Sequence, residues 1–173
     1  MRGTHGCPQK LSMVRPRGRS YDGTLFNHPS TPHATMVISS NALAYIAAIN
    51  NYLALLAAGD VRGIVSLFSP RGTVHSPFLG AQPAGRFFDL LKAATRRSVL
   101  EDAEVFVSGT GSRRASVCFK YLWELADGAQ VRFECVDLFD FDEQGLIEAM
   151  TIVYDTAPIR EAVGDKYRNA LAG

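Results

Sequence analysis

Val131-Arg-Phe-Glu-Cys-Val-Asp-Leu-Phe-Asp-Phe141 is the stretch that decides the fold. Its odd positions are Val131, Phe133, Cys135, Asp137, Phe139 and Phe141, while its even positions, Arg132, Glu134, Val136, Leu138 and Asp140, are mixed and largely polar. Alternation with a period of two marks a strand with one face in a core. Asp137 alone breaks the apolar row. A carboxylate buried without partners costs several kcal/mol, or its pKa is driven up until it is neutral. An acid in that row is therefore either paired structurally, with backbone or a nearby Arg, or protonated and put to use.

The neighbouring segments read as strands too. Residues 114–125 carry Val117, Phe119, Tyr121 and Trp123 on one face. Ala126-Asp127-Gly128 suits a three-residue hairpin loop with Gly128 in the left-handed region. That loop length sets Trp123 against Val131, Tyr121 against Phe133 and Val117 against Asp137, so the apolar rows coincide. Asp142-Glu-Gln-Gly145 is the next turn, and residues 147–154 form a last strand with Met150, Ile152 and Tyr154 on its apolar face. Upstream, residues 104–108 read as a strand closed by Gly109-Thr-Gly-Ser112.

Before these strands the pattern is helical. A first helix starts at the cap cluster Ser39-Ser40-Asn41 and stops at Gly59. Leu43, Ile46, Asn50, Leu53 and Ala57 form one stripe on it; Tyr45, Ile49, Tyr52 and Leu56 form another. Asp60 caps a short helix over 61–68, which Ser69-Pro70 ends. Residues 73–76 form a short strand stopped by Pro77, and a Gly/Pro loop (Gly80, Pro83, Gly85) leads to a helix over 86–97. That helix buries Phe87, Leu90, Leu91 and Ala94. A polar helix from Thr156, with Pro158 in its first turn, closes the chain. Helices segregated from strands mean an α+β fold. The expected architecture is a cone: a strongly curved antiparallel sheet wrapped around helices, with an apolar interior.

The chain has 173 residues, enough for one well-buried domain. A net charge of +1 gives no reason to expect nucleic acid or a membrane surface as a partner. No apolar run is read as approaching the roughly 20 residues of a membrane span. Residues 1–38 pair Arg2, Lys10, Arg15, Arg17 and Arg19 with a single acid, Asp22, and are broken by Pro8, Pro16, Pro29 and Pro32. They read as a disordered basic extension ahead of a domain over 39–173. Cys7, Cys118 and Cys135 make no disulfide framework and fit reduced thiols in a cytoplasmic protein. The histidines and cysteines show no ligand spacing, so no metal is expected.

Three segments carry a family likeness. Tyr52-Leu-Ala-Leu-Leu-Ala-Ala-Gly-Asp60, Leu67-Phe-Ser-Pro-Arg-Gly-Thr-Val-His-Ser-Pro-Phe78 and Cys135-Val-Asp-Leu-Phe-Asp-Phe-Asp-Glu-Gln-Gly145 resemble the nuclear-transport-factor-two-like superfamily, a cystatin-like roll. The branch it resembles is the ketosteroid isomerase and SnoaL-like group, over roughly residues 40 to 157. The resemblance implies a Tyr on the first helix and a protonated Asp on a late strand, both donating to an enolate oxygen. These fall on Tyr52 and Asp137. It also implies a proton-shuttling Asp just before the Pro that ends the first strand, and here that position is Ser76. A serine hydroxyl is too weak a base for that task. Losing a general base costs on the order of 10² to 10⁴ in rate.

Other bases are few. Strand alternation turns His75 away from Ser76, which makes it a surface or packing residue before a base. Asp155 reads first as a helix cap or ion-pair partner, then as a base near the pocket mouth. Ser76, Phe68, Trp123, Phe133, Met150 and Tyr154 are the expected substrate-binding set, though the large ones serve equally well as core. Two readings remain. One is a cofactor-free enzyme for a small hydrophobic carbonyl compound, steroid- or polyketide-like, performing isomerisation, cyclisation, hydration or dehydration. The other is a non-catalytic ligand-binding or protein-interaction module of the same fold. Relatives suggest a homodimer through the back of the sheet, where Lys120, Glu124, Arg132 and Glu134 lie.

Overall fold

The first described element is α1 (Ser40–Ala58), the apolar helix expected from the cap cluster. The computed structural model describes residues 40–157. The N-terminal extension and the closing helix expected from Thr156 lie outside or run beyond those residues. Of the two stripes on α1, the one that enters the core is Tyr45, Ile49, Tyr52 and Leu56; Leu43 is 56% exposed. The aromatic stripe wins because its rings meet the sheet: Tyr45 stacks on Phe141 at 4.3 Å, and Tyr52 meets Phe139 edge-on at 5.2 Å. By length and composition α1 could cross a membrane, which corrects the reading of apolar runs above. Its aromatic face is nevertheless occupied by the fold.

Gly59 (φ 65°) ends α1, and Asp60 caps α2 (Val61–Ser66) by accepting from the Gly63 amide at 2.9 Å. This helix is shorter than expected, because β1 (Phe68–Ser76) begins at once and runs through Ser69-Pro70. Pro70 is tolerated in a strand because the register shifts between Phe68 and Thr73, and β2 (Gly80–Pro83) pairs only with Thr73 onward. The Gly/Pro loop thus contains an edge strand. Next, α3 (Ala84–Ala94) gives way at Thr95 to β3 (Thr95–Val107), where a helix to residue 97 and a strand from 104 were expected. Long-range pairing overrides local periodicity here: Thr95 pairs with Leu125 and Ser98 with Trp123. A register shift between Glu101 and Glu104 accommodates Asp102 in the left-handed region (φ 53°).

The strands β4 (Arg114–Leu125), β5 (Gln130–Phe141) and β6 (Ile147–Val153) complete a six-stranded, unclosed, curved sheet ordered β2-β1-β6-β5-β4-β3. The hairpin register is the expected one, with Trp123 against Val131, Tyr121 against Phe133 and Val117 against Asp137. Gly128 (φ 88°) supplies the left-handed loop residue. One pairing departs from the expectation: β1 runs parallel to β6, so the sheet is mixed. The crossover through β2, α3 and the long strands makes that direction possible. Inside the curve, alternate β4 residues from Ala115 to Leu125 are buried, with α1, Phe87 and Phe88 packed across them. Full burial of side chains such as Phe139 and Ile49 contributes about 2 to 3 kcal/mol each.

Candidate functional site

The apolar row of β5 carries Asp137 into the interior, 2% exposed, beside Val117 of β4 and Ile152 of β6. Two residues earlier on the same face stands Cys135. From across the interior α1 brings Tyr52. Tyr52 Oη donates to Asp137 Oδ2 at 2.9 Å, and Cys135 Sγ donates to Asp137 Oδ1 at 3.2 Å. Of the two expectations for a buried acid, the structure pairs Asp137 with a phenol and a thiol and not with an Arg. Burial pushes the Asp137 carboxyl up to about 6, against the pull of the Cys135 and Tyr52 hydrogen bonds. Burial, then the Asp137 charge, holds Tyr52 well above the usual phenol range and raises the Cys135 thiol as well. Asp137 is thus the group of the three that ionises first.

This trio forms part of the wall of a cavity of about 50 Å³. Tyr52, Ser76, Trp123, Phe133, Asp137 and Tyr154, all singled out in the sequence, line it. Phe68 and Met150 do not: Phe68 turns edge-on to Phe88, and Met150 is fully buried between its strand partners Val74 and Phe139. Ser76 ends β1 half-buried, accepting from the amides of Phe78 and Leu79 at 3.4 and 3.5 Å. Burial raises the Tyr154 phenol, and its contact with Ser76 pulls it back. His75 is exposed, and Asp155 is exposed with Oδ1 accepting from the Ala157 amide at 2.9 Å. Neither lines the cavity. Among the described residues no three His, Cys, Asp or Glu side chains gather as a metal site.

The family model described as SnoaL-like domain matches residues 49–150, more than half of the chain. The chain belongs to the SnoaL-like family. Tyr52, Ser76 and Asp137 all fall inside the matched segment of this SnoaL-like chain. No curated protein matches it by sequence. Among solved structures it is similar to a candidate polyketide cyclase from Silicibacter sp. TM1040, at TM-score 0.61 and 17% identity, covering 69% of this chain and 95% of that one. It is similar to the BvnE pinacolase from Penicillium brevicompactum, at TM-score 0.62 and 16% identity, covering 79% and 99%. A third is SalBIII, an epoxide hydrolase/cyclase-like enzyme with a role in pyran ring formation in salinomycin, at TM-score 0.56 and 15% identity, covering 67% and 94%. At these identities the likeness establishes the fold, one typical of soluble domains, and leaves the reaction to the site.

The SnoaL-like cavity also contains residues the sequence reading passed over. Cys135 reads as an inert core thiol in sequence, yet its place two residues before Asp137 already puts it on the same strand face. Tyr121 enters through its register with Phe133, and Leu91 through the core-facing side of α3. Phe87 lines the cavity and was expected in the core. Its neighbour Phe88 lies outside this lining, fully buried against Tyr52 and Phe68, and carries no signal in the helical spacing, which places only Phe87 on the inward stripe.

Proposed function

We propose that this SnoaL-like chain binds a small hydrophobic carbonyl compound, of polyketide or steroid type, and moves a proton on it without a cofactor. The observation that carries the reading is the buried Tyr52–Asp137 hydrogen bond in the wall of an apolar cavity. The resemblance implies two donors, which requires Asp137 to be protonated. With its pKa raised only to about 6, the carboxylate form dominates at neutral pH and accepts from both Tyr52 and Cys135. The pair therefore works as base and donor. Asp137 removes a proton next to the carbonyl, which fills the role that Ser76 is too weakly basic to play. Once protonated, Asp137 is a poorer acceptor, and the Tyr52 hydroxyl becomes available to the enolate oxygen. Isomerisation, cyclisation and hydration or dehydration all begin or end with such a transfer.

The test is deuterium exchange at the carbon next to the carbonyl of 2-tetralone, followed by NMR in heavy water. Exchange is expected to rise with pH through about 6, as Asp137 ionises. The Asp137→Asn variant is expected to lose on the order of 10² or more of the rate. Wild-type exchange no faster than in Asp137→Asn would instead support the non-catalytic module, which the Ser76 substitution favours. The ligand partner is small and hydrophobic, with neither nucleic acid nor a membrane needed. We further propose a cytoplasmic homodimer through the outer face of the sheet. There the charges Lys120–Asp102 and Arg114–Asp140 are already paired within the chain, and Phe106 and Val153 are each 50% exposed. Sedimentation equilibrium checks the dimer.

A further inference from the structure

The cavity beside Asp137 has a neighbour. A second one, of about 110 Å³, lies where the end of α1, α2, the last turn of α3 and the start of β3 meet. Leu56 and Leu91 line both. Trp123 Nε1, from the wall of the first, donates to Thr95 Oγ1 in the wall of the second at 2.7 Å. Tyr121 Oη and Ser98 Oγ make a similar link at 2.7 Å. The residues common to the two linings are leucines, whose side chains move without breaking a hydrogen bond. Leu91 is only half-buried.

Charge separates the two cavities. The first contains Asp137 and no cation. Lys92, Arg96 and Arg97 line the second, with no acid. Arg96 is engaged by Glu124 at 3.2 Å. Lys92 Nζ lies over Gly59, 2.6 Å from where a Cβ would stand, near the negative end of the α1 dipole. Arg97 makes no ion pair among the described residues. An anionic group is repelled by the Asp137 carboxylate and attracted by Arg97 and Lys92, so a ligand with one anionic end has a single favourable orientation. At about 50 Å³ the first cavity is too small for a ligand-sized site of roughly 300 Å³, and the second adds only about 110 Å³, so a shared ligand also needs the space that Leu91 fills.

We infer that the two cavities together hold one elongated ligand, a ring compound with its carbonyl end at Asp137 and a carboxylate at its far end against Lys92 and Arg97. The inference rests on the reading of Asp137 as the proton-transfer site and adds the anionic end to the substrate class. Displacement of the Leu91 side chain joins the two spaces.

The test uses the full chain and two rigid probes: 2-naphthol, a planar phenol, and 6-hydroxy-2-naphthoate, which adds a carboxylate at the opposite end. Calorimetry is expected to find the carboxylate probe about tenfold tighter, the gain of one charge-assisted hydrogen bond. Added salt should erode that gain and leave 2-naphthol unaffected, a comparison that needs no variant. The Lys92→Gln/Arg97→Gln double variant should abolish it without changing 2-naphthol binding. Emission from Trp123, the chain's single Trp, should respond to both probes. Equal affinities in the wild type, a gain that survives charge removal, or carboxylate-probe binding that leaves Trp123 unchanged would overturn the inference. Failure of the underlying reading has a different signature. In that case 2-naphthol binds equally well to wild type and Asp137→Asn, while the carboxylate gain still depends on Lys92 and Arg97.

Discussion

Replacing Asp137 by Asn removes the one buried charged side chain among the described residues, and the expected result is a more stable protein at neutral pH. Folding raises the Asp137 pKa from 3.8 to about 6, because burial disfavours the charged form. The folded state therefore holds its proton more tightly than the unfolded state. Stability from this group is fully present below about pH 4 and falls as pH rises through about 6. Two units correspond to about 3 kcal/mol, all of it lost at about pH 8. Asn has nearly the same shape and keeps an oxygen for the Tyr52 hydroxyl, at the expense of about 1 kcal/mol for the altered Cys135 bond. The net expectation is a gain of about 2 kcal/mol at about pH 8 and a loss of about 1 kcal/mol at about pH 4. Urea denaturation at the two pH values measures both, with a midpoint shift of about 1 M at the higher pH. A loss of stability at the higher pH, or the same shift at both, would refute the reasoning. Asp137 would then be a structural acid whose charge the fold favours, and its suitability as a base would go with it. A gain at the expense of activity is the pattern of a functional residue kept in a costly place.

Three further outcomes are expected. Tyr52→Phe removes one of two donors to a buried carboxylate and should cost about 1.5 to 3 kcal/mol at about pH 8, moving the exchange profile to higher pH; an unmoved profile would separate Tyr52 from Asp137. Ser76→Asp puts a carboxylate at the position that the resemblance gives to the proton shuttle, and turnover of a β,γ-unsaturated ketone should rise by on the order of 10². No detectable turnover in an absorbance assay would mean the cavity is built for another reaction. Gly72→Ala sets a methyl 2.8 Å from the Phe68 ring and 3.0 Å from the Ile147 carbonyl, and denaturant titration should register a loss of about 1 to 3 kcal/mol.

The alternation along Val131–Phe141 and the three-residue loop after Leu125 determined the β4–β5 register by themselves. A slip of one residue would have turned every apolar side chain outward. The same alternation carried Asp137 to the interior, and helical spacing carried Tyr52 to the core face of α1. Both are local periodicities, printed in the order of the residues. The tertiary structure decided the rest. Residues 95–104 are rich in charge and lack a period of two, yet they form a strand because the exposed edge of β4 must be paired. Pro70 sits in a strand because its register shift falls where neither neighbour needs its missing N–H. The buried acid met a phenol and a thiol, so that at neutral pH it accepts hydrogen bonds where a neutral acid would donate one. That distinction depends on distances and burial that only the closed fold creates, and on it rests the proposal that Asp137 acts as a base and not as half of a donor pair.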